Sequence, residues 1–536
     1  MSDSSHSLRR FFPRSPRLVL TACALALALA GCAVGPDFTR PETAAPDDWN
    51  SWRSADDALR APLTATPALP SQWWLAFGDP VLNQLQQRAV AASPDLRTAA
   101  LRYAQARVQR GVVAAQRAPE IDASGGITRQ RQSEYGAGTR MIDAIGGDRE
   151  TLAKALSEPF TLYQAGFDAS WELDLWGRVR RSIEGADADV VRQAALLDLA
   201  RLTLASDLAR NYFELRTAQR QIRLAREDIA ALEDRMRILA ARARGGTVGQ
   251  LDLEQQRADL ADTRAQLPPL LAQAAASINQ IALLLGERPG ALRDELADRE
   301  TGAGINMDGG KGAGKSIATG APALPDLALG LPSEVARRRP DIRAAEARLH
   351  RATANIGVAQ ADLYPSIRLG AHVGLESYLS GEFSDWGSRA WSIGPSLSLP
   401  LFDHGRRKSV VELRKLEQQE AAVDFQRTVL KAWQEIDDAL NAYTAERQQA
   451  RQLAERARSA GDACKLALAR YEGGAVDYTV ALDSQRRYLQ ARRDLAASEG
   501  RLATRYVTVN KAIGNVPRDE AVGSAPPDAS PASAQP

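Results

Sequence analysis

Cys32 lies in a sequence pattern that predicts covalent modification of its side chain. Basic residues precede an apolar run from Leu18 to Ala30, and the run closes with Leu29-Ala30-Gly31-Cys32. This arrangement is typical of an export signal, and its end resembles a lipobox, in which the cysteine is acylated and becomes the new N-terminus. An ordinary signal peptide with an incidental cysteine is the alternative. We predict a signal peptide over residues 1–31, and a covalent diacylglycerol and an N-acyl chain on Cys32.

A second pattern satisfies a nucleotide-binding formula. Residues Gly309 to Ser316 fit G-x-x-x-x-G-K-S, with Lys315 as the lysine. A working loop of this kind joins a buried strand to a helix whose N-terminus binds phosphate. Here Asn306-Met307-Asp308 precede the pattern and Ala321-Pro322 soon follow it, so neither element is predicted. A flexible linker is the favoured interpretation.

Catalytic and metal-binding sites are not predicted elsewhere in the sequence. The histidines His6, His350, His372 and His404 are scattered, and His6 leaves with the signal. No nucleophile lies near a base in a recognisable motif, and no Cys/His cluster has metal-ligand spacing. Lys plus Arg is 68 and Asp plus Glu is 66, so no basic surplus indicates nucleic acid. The sequence predicts no enzyme, no nucleic-acid partner and no cofactor beyond the lipid on Cys32.

Four segments alternate apolar and polar residues with a period of two, as strands with two different faces do. We predict these strands at about 119–131, 160–176, 365–378 and 389–403. Each has about ten residues or more, the length of a tilted membrane strand. No internal helix is expected to be long and apolar enough to span a bilayer. A soluble sheet with one wet face is the alternative.

The polar rows of these strands predict a water-filled lumen. A slip of one residue would turn Asp168, Glu172 and Arg368 toward lipid, at a cost of up to about 2–4 kcal/mol for an arginine at the midplane. His372 shares this face and is interpreted as a pore-lining side chain. Four strands cannot close a membrane barrel, and an open edge in lipid leaves backbone groups unpaired. Closure therefore requires an oligomer, of two chains or of three.

Two stretches without proline predict very long helices, from about Val179 to Arg244 and from about Arg406 to Tyr471. Each would be about 100 Å long. The second carries apolar residues at seven- and three-residue steps that suit knobs-into-holes packing, namely Leu416, Val423, Leu430, Trp433 and Leu440. A glycine pair follows each long helix, Gly245-Gly246 and Gly473-Gly474, and would reverse the chain into an antiparallel partner.

The chain is predicted to be an internal duplication. Pro94-Asp95-Leu96-Arg97 is answered by Pro340-Asp341-Ile342-Arg343, and Gly177-Arg178 by Gly405-Arg406. The predicted fold class is α+β and mostly α. The predicted segments after the signal are a lipidated N-terminal segment that begins an equatorial region (32–93), a first repeat (94–290), a glycine-rich equatorial linker (291–335), a second repeat (336–516) and a disordered tail (517–536).

Several motifs together resemble the TolC-like outer membrane factor lipoproteins that serve RND-type efflux pumps. They are Cys32-Ala33-Val34-Gly35-Pro36-Asp37-Phe38, Trp73-Trp74, Trp171-Glu172-Leu173-Asp174-Leu175-Trp176-Gly177-Arg178, and Arg338-Arg339-Pro340-Asp341-Ile342-Arg343. The resemblance extends from about Cys32 to Pro517. A glycine-rich insertion at about 301–325 departs from the family pattern.

The resemblance implies a homotrimer whose strands form a 12-stranded β-barrel in the outer membrane and whose long antiparallel helices form a periplasmic α-barrel. It also implies docking to a periplasmic adaptor protein and to an inner-membrane RND-type transporter, with substrates passing outward passively. An exit duct of type I protein secretion would use the same architecture. A periplasmic coiled-coil lipoprotein or a pump adaptor is the alternative from another class.

The resemblance further implies a periplasmic aperture that closes like an iris at the glycine turns. Asp477 matches the position where relatives place an acidic constriction ring, with Tyr478 beside it and Asp483 on the same helix. Three copies of Asp477 would repel one another as anions, whereas the same residue could also be the N-cap of the helix. Both interpretations stay open from the sequence, and Asp483 is favoured as a solvated helix position.

Overall fold

The computed structural model describes residues 33–41, 56, 59, 70–136, 139–140, 142, 148–246, 249–297 and 332–517. The predictions for Cys32, for the glycine-rich pattern from Gly309 to Ser316 and for the tail after Pro517 concern residues outside these ranges.

The described chain is mainly helical, with strands between pairs of helices. The helices are α1 (Pro80–Ala92), α2 (Pro94–Ala115), α3 (Arg149–Leu156), α4 (Arg178–Arg244), α5 (Gln250–Ala265), α6 (Leu267–Leu284), α7 (Pro332–Arg338), α8 (Pro340–Ala361), α9 (Arg406–Glu472) and α10 (Tyr478–Ala512). The strands are β1 (Glu120–Gln130), β2 (Phe160–Leu173), β3 (Ser366–Ser377) and β4 (Arg389–Ser398).

The predicted duplication is visible in the backbone. Helices α2 and α8 each have 22 residues and begin at a proline, and α4 and α9 each have 67 residues. Gly177 and Gly405, which precede the two long helices, have φ values of 78° and 82°. These left-handed values are accessible to glycine at little cost, which explains why both halves keep a glycine there.

The chain divides into two compact units. A strand unit consists of Met1–Thr39, Ala106–Val190 and Arg348–Ala422, and a core unit consists of Arg40–Gln105, Val191–Ala347 and Val423–Pro536. The boundaries fall inside α2, α4, α8 and α9, so each sequence repeat contributes to both units. The predicted division into two repeats therefore describes the duplication and not the compact units.

In the strand unit, β1 to β4 form one antiparallel sheet in chain order. Its first and last strands are edges within the described residues. Strand β4 ends at Ser398 and β2 at Leu173, earlier than the predicted 403 and 176. Two local features explain the difference: Pro400 has no N–H for a ladder, and Asp174 instead caps α4 by accepting hydrogen bonds from Val179 N and Arg180 N, both at 2.9 Å.

In the core unit, aromatic side chains from distant segments pack into one apolar cluster. Trp73 and Phe77 of a 3₁₀ turn meet Tyr506 of α10 edge to face, with ring centroids 6.4 and 5.5 Å apart. Asp79 caps α1 by accepting hydrogen bonds from Val81 N and Leu82 N. The predicted Trp73-Trp74 motif is therefore a packing element.

The motif Arg339-Pro340-Asp341 is also structural. The Arg339 side chain is 6% exposed and donates to Asp341 and to Glu435 of α9, both at 2.6 Å. A second nitrogen of its guanidinium donates to the Ala512 carbonyl at the end of α10. A buried arginine requires such partners, since an unpaired buried charge costs several kcal/mol. Arg339 thus joins the start of α8 to two other helices.

One expectation about the helices was wrong. The stretch Gln250–Leu284, which contains α5 and α6, is long and apolar enough by length and composition to cross a membrane, with a mean hydropathy of 1.2 over its best window. Some of its apolar residues pack in the hydrophobic core of the core unit. Ala274 and Ile281 are buried in the cluster around Trp73, which explains part of the apolar face of α6, although only 22% of the apolar window is buried.

Candidate channel wall, membrane anchor and aperture

The four-stranded sheet leaves an apolar face exposed. Neighbouring apolar residues are in register across it, for example Phe167 with Val373 and Val373 with Trp391. The most exposed members are Ile121, Ile127, Phe167, Val373, Trp391, Ile393 and Leu397, each between 58% and 75% exposed. An exposed apolar face of this size would be unstable against water, and it indicates contact with lipid or with another protein surface.

The opposite face of the sheet is polar. Asp122, Asp168, His372 and Ser392 are consecutive register partners across all four strands. His372 Nδ1 lies 2.8 Å from Asp168 Oδ1, so the prediction that His372 shares a face with the carboxylates is met by direct contact. The sheet therefore separates an apolar from a polar surface over its whole width.

The polar face continues where the strands meet the helices. Glu172 of β2 accepts two hydrogen bonds from Arg178 at 2.7 and 2.9 Å, and Arg368 of β3 lies 3.6 Å from the same carboxylate. These residues line an open cavity of about 360 Å³ together with Arg406 and Arg407 of α9. A wet, charged surface thus runs from the sheet into the helical part of the strand unit.

The segment that follows Cys32 is docked against the first turn of α4. Val34 N donates to the Trp176 carbonyl at 3.1 Å. Gly177 leaves room for Ala33, because a Cβ at Gly177 would lie 2.8 Å from the Ala33 Cβ. The residue next to the predicted acylation position therefore lies at the junction between β2 and α4.

Arg181 holds this segment in place. Its side chain is 7% exposed and donates to Asp37 Oδ1 at 2.7 Å and to the Val34 and Gly35 carbonyls at 3.3 Å. Its remaining partner is Glu184 on the next turn of α4, at 2.8 Å. A single buried guanidinium thus binds three residues of the N-terminal segment, Val34, Gly35 and Asp37.

Aromatic side chains mark the same junction. Trp176 stacks on Tyr364 with ring centroids 4.7 Å apart, and the Trp176 indole N–H donates to the Pro365 carbonyl at 2.8 Å. Amphipathic rings are enriched where a membrane protein meets the lipid headgroups. The ends of β2 and β3 nearest the helices therefore have the composition of a membrane boundary.

The two glycine turns end the long helices as the sequence indicates. Gly246 and Gly474 have φ values of 75° and 71°, whereas the first glycine of each pair, Gly245 or Gly473, has no positive φ. Ala475 N donates to the Arg470 carbonyl at 2.8 Å, which closes the end of α9 with a Schellman bond. Only the second glycine of each pair needs the left-handed conformation.

The two carboxylates predicted near the aperture have different surroundings. Asp477 is exposed and holds the N-cap position of α10, but its side chain accepts no hydrogen bond from the first turn. Asp483 is exposed and forms an ion pair with Arg487 at 2.9 Å. The carboxylate of Asp477 is thus not used for capping, whereas Asp483 has a cation beside it.

Tyr478 is buried and not exposed at the turn. Its hydroxyl donates to Gln256 Oε1 of α5 at 2.6 Å, and its ring packs in a small cluster with Leu239, Leu253 and Leu482. Burial raises the pKa of Tyr478 to about 12, so the hydroxyl keeps its proton at physiological pH. Tyr478 therefore fixes α10 to α5 at this end of the core unit.

Sequence reasoning missed the partner of this contact and a second link beside it. Arg486 of α10 donates through Nε to Asp259 Oδ2 of α5 at 2.6 Å, and its terminal nitrogen also binds that carboxylate. Gln256, Asp259 and Arg486 carry no signal in the sequence, because the two helices are more than two hundred residues apart along the chain. The steps of three and four residues between the buried Tyr478, Leu482, Gln485 and Leu489 of α10 could have indicated a packed face.

Comparisons with known proteins agree with this architecture. The model of the Outer membrane efflux protein family matches residues 85–287 and 331–515, which is more than half of the chain. Outer membrane protein OprJ of Pseudomonas aeruginosa is 30% identical over 475 residues, covering 88% of this chain and 90% of that protein. Probable outer membrane lipoprotein SilC of Salmonella typhimurium is 28% identical over 479 residues, covering 88% and 92%. The solved structure of the outer-membrane channel OprN is 30% identical, with a TM-score of 0.77, and covers 90% of this chain and 99% of that chain.

The sheet has one apolar and one polar face, and long paired helices follow its strands. A solved outer-membrane channel matches 90% of the chain. These observations define the class of protein as an outer-membrane channel. The chain belongs to the outer membrane efflux protein family. Channels of this family are trimers with an α-barrel and a β-barrel, span the outer membrane and extend into the periplasm. The predicted fold class, location and efflux function are thereby confirmed.

Proposed function

We propose that three copies of this chain close one 12-stranded β-barrel that conducts small molecules through the outer membrane. The observation that carries the proposal is the open sheet, whose apolar face is exposed and whose edge strands β1 and β4 are unpaired within the described residues. In lipid, unpaired strand edges are excluded because their backbone groups find no hydrogen bonds. Neighbouring copies supply the missing partners of both edges.

The long helices support the same assembly. Leu416, Val423 and Leu430 lie at seven-residue steps on α9 and are 55%, 63% and 69% exposed. Trp433 and Leu440, which continue the predicted stripe, are buried. The exposed part of this stripe packs on a second copy, since an apolar row this regular otherwise meets water.

A lipid on Cys32 anchors each chain. Ala33 is held against Gly177 beside the aromatic boundary of the sheet, so the acylated residue follows directly on a segment that is fixed at that level. Each acyl chain contributes about 0.8 kcal/mol per buried methylene, which makes two or three chains a lasting anchor. The relative SilC is named as a probable outer membrane lipoprotein, which supports a lipid anchor here.

The channel works passively between other proteins and performs no chemistry of its own. Its partners are a periplasmic adaptor and an inner-membrane RND-type transporter, which supply the energy and select the substrate. The described residues hold no group of three or more His, Cys, Asp or Glu side chains arranged for a metal ion. We expect Lys315→Ala to leave the efflux phenotype unchanged, because the proposed function uses no nucleotide.

The periplasmic aperture lies at the turns Gly245-Gly246 and Gly473-Gly474. Asp477 contributes one carboxylate per chain to a ring there, and Tyr478 acts indirectly by fixing α10 to α5. Asp483 is neutralised by Arg487 and adds little charge to the ring. Removing the ring with Asp477→Ala should raise the closed-state conductance of an assembled trimer.

Conductance across planar lipid bilayers tests the proposed function. The purified acylated protein should insert and give stable, long-lived current steps, because a closed barrel with a polar interior passes ions. A matched preparation with Trp391→Glu, which places a charge on the exposed apolar face, should insert far less often. An adaptor or a periplasmic coiled-coil protein would give no stable current in either preparation.

A further inference from the structure

Two arginines lie on the exposed apolar face of the sheet. Side chains alternate between the two faces of a strand, so Arg389 shares this face with Trp391, and Arg129 shares it with Ile127. Every other position of the four strands on this face is uncharged. The two arginines are therefore the only charges that the strands place on their apolar side.

Both arginines lie at the end of the sheet that is distant from the long helices. Arg129 is the next-to-last residue of β1, and Arg389 is the first residue of β4. The opposite ends of these two strands are joined to α2 and α9. Because channels of this family extend into the periplasm, the distant end of the sheet lies in the outer leaflet of the membrane.

The height of the apolar face places Arg389 near a membrane boundary. Eight residues separate it from Leu397, the last apolar residue of β4. This distance is about 27 Å along the strand and about 20 Å across the membrane at a tilt of about 40°. The apolar band of an outer-membrane barrel is about 25 Å tall, and a charge costs least at its boundary. Arg389 is therefore within reach of the lipid headgroups.

Aromatic rings surround this boundary. The guanidinium carbon of Arg389 lies 3.0 Å from the ring centroid of Trp386, which is 78% exposed. Tyr163, on the apolar face of β2, lies beside Phe383 with ring centroids 6.4 Å apart. Amphipathic rings are enriched at the headgroup level of a membrane. A guanidinium that lies over a ring keeps the N–H groups in its plane available to an anion.

Neither arginine has an ion-pair partner among the described residues. The third arginine of the strands, Arg368, lies on the polar face and is 3.6 Å from the carboxylate of Glu172. Glu376, at the distant end of β3, also lies on the polar face. The guanidinium groups of Arg129 and Arg389 are therefore available to an anion from outside the described chain.

We propose that the distant ends of β4 and of β1 from the next copy form a binding site for a phosphate-bearing lipid of the outer leaflet. The proposal rests on the proposed function, because the two edge strands meet only where copies close the barrel. Arg389 of one copy and Arg129 of the next then lie on the apolar face of one seam. A guanidinium binds phosphate through two parallel hydrogen bonds. Three seams give three sites in the trimer.

The surroundings of the arginines favour a lipid over a free phosphate ion. Toward the middle of the membrane, each arginine is followed on its own face by an exposed apolar side chain, Ile127 on β1 and Trp391 on β4. A lipid whose headgroup binds the arginines lays its acyl chains on these side chains. A free ion would use the arginines alone and leave the apolar side chains uncovered.

Native mass spectrometry of the assembled, acylated trimer in detergent tests the site. The trimer is titrated with phosphatidylglycerol, or with phosphatidylcholine that has the same acyl chains. We expect a Kd for phosphatidylglycerol at least about tenfold lower, because the phosphate of phosphatidylcholine is neutralised by its own ammonium group. Excess inorganic phosphate should leave the bound lipid in place. Displacement by inorganic phosphate would identify a free-anion site and overturn the proposal.

Arg129→Gln and Arg389→Gln should each raise the Kd for phosphatidylglycerol, and the double variant should bind the two lipids about equally. Both side chains are exposed, so the variants should fold, and their conductance verifies assembly. Lys154→Gln is the matched control. It removes a cation between β1 and β2 whose ammonium is 2.9 Å from Glu150, and it should keep the wild-type preference.

The outcomes separate the lipid site from the channel. A conducting wild-type trimer that binds both lipids equally would overturn the lipid site and leave the proposed channel intact. A preference that persists in the conducting double variant would do the same. A wild type that is neither trimeric nor conducting would overturn both proposals.

Discussion

At the residue scale, Arg181 connects the anchor segment to the helices. Replacing it with alanine removes the donors to Asp37 and to the Val34 and Gly35 carbonyls. Hydrogen bonds to charged groups contribute about 1.5–3 kcal/mol each. We expect the amide of Val34 to exchange with deuterium at least about tenfold faster in Arg181→Ala, as measured by hydrogen-exchange mass spectrometry.

Arg351→Ala is the control for this variant. It removes an ion pair of 2.9 Å with Asp189 in the same unit, and Arg351 has no hydrogen bond or ion pair to the described residues 33–41. Exchange at Val34 should stay at the wild-type rate in this control. Equal protection of Val34 in both variants would show that Arg181 does not hold the segment.

Tyr478 is the second residue whose role can be tested alone. Tyr478→Phe leaves the fully buried Gln256 without its donor, at a cost of about 1–3 kcal/mol. Because burial raises the pKa of Tyr478 to about 12, the folded state disfavours tyrosinate and stability is lost only above about pH 10. The decrease in Tm should therefore be the same at about pH 6 and at about pH 9.

Tyr488→Phe makes the same chemical change on the same helix. Tyr488 is half-buried and packs its ring against Gly461, so loss of its hydroxyl should change Tm much less. An equal decrease in Tm in the two variants would show that the hydroxyl of Tyr478 contributes no more to stability than that of Tyr488.

Some of these residue roles could be read from the sequence, and others could not. Glycine needs a special backbone conformation, so the pairs Gly245-Gly246 and Gly473-Gly474 indicated the turns directly. The position of Asp477 came from a family resemblance, and its role as an aperture carboxylate remains a prediction. The burial of Tyr478 depends on Gln256, a partner from a distant helix, which no local pattern reveals.

At the element scale, the exposed apolar stripe of α9 is the surface on which we expect a neighbouring copy to pack. Val423→Glu places a charge on a side chain that is 63% exposed in the single chain, so the chain itself should still fold. The charge would be buried in the assembly, where an unpaired carboxylate is unfavourable. We expect a smaller fraction of detergent-resistant trimer on gel filtration.

Val423→Ile keeps the stripe apolar and should leave the trimer fraction unchanged. A Val423→Glu protein that remains fully trimeric, with unaltered heat resistance, would place the neighbouring copy on another face of the helices.

Helix α4 contains a buried acid whose titration affects the pairing with α10. Burial raises the pKa of Asp228 to about 6, although Arg492 and Arg493 lie 3.6 Å from its carboxylate. The folded state thus binds this proton more tightly than the unfolded state, so stability falls as the pH rises from about 4 to about 6 and the loss is complete above that value.

Asp228→Asn lacks this titration. The free energy of unfolding of the variant, relative to wild type, should therefore rise by about 2 kcal/mol between about pH 4 and about pH 7. Thermal unfolding in detergent at the two pH values measures the change through Tm. A difference between variant and wild type that does not vary with pH would contradict a shifted carboxyl.

The elements were largely predictable because their signals are local. Proline-free stretches gave helices close to the observed Arg178–Arg244 and Arg406–Glu472, and period-two alternation gave all four strands. The strand ends were less predictable. Asp174 fits the alternation of β2, but its side chain accepts a hydrogen bond from Val179 N and so caps α4. The apolar stretch Gln250–Leu284 was missed because its composition alone does not distinguish a packed helix from a membrane span.

At the scale of the whole molecule, the single chain is incomplete. Its sheet exposes apolar side chains on one face and an unpaired edge at each side within the described residues. Helix α9, one of two helices with 67 residues, exposes a regular apolar stripe. Further copies of the same chain would pair the strand edges and cover the apolar stripe of α9. Water cannot stabilise the exposed apolar side chains in this way.

The number of chains could not be read from the residues alone. Four strands per chain allow eight strands in a dimer or twelve in a trimer, and both numbers permit a closed membrane barrel. Family membership selects the trimer. The division into two compact units could not be predicted from the sequence either, because each long helix contributes residues to both units.

The most direct test of the central claim is native mass spectrometry of the purified, acylated protein in lipid nanodiscs. We expect a single species with the mass of three chains, each carrying its lipid on Cys32. A lipid-free, water-soluble single chain would contradict it.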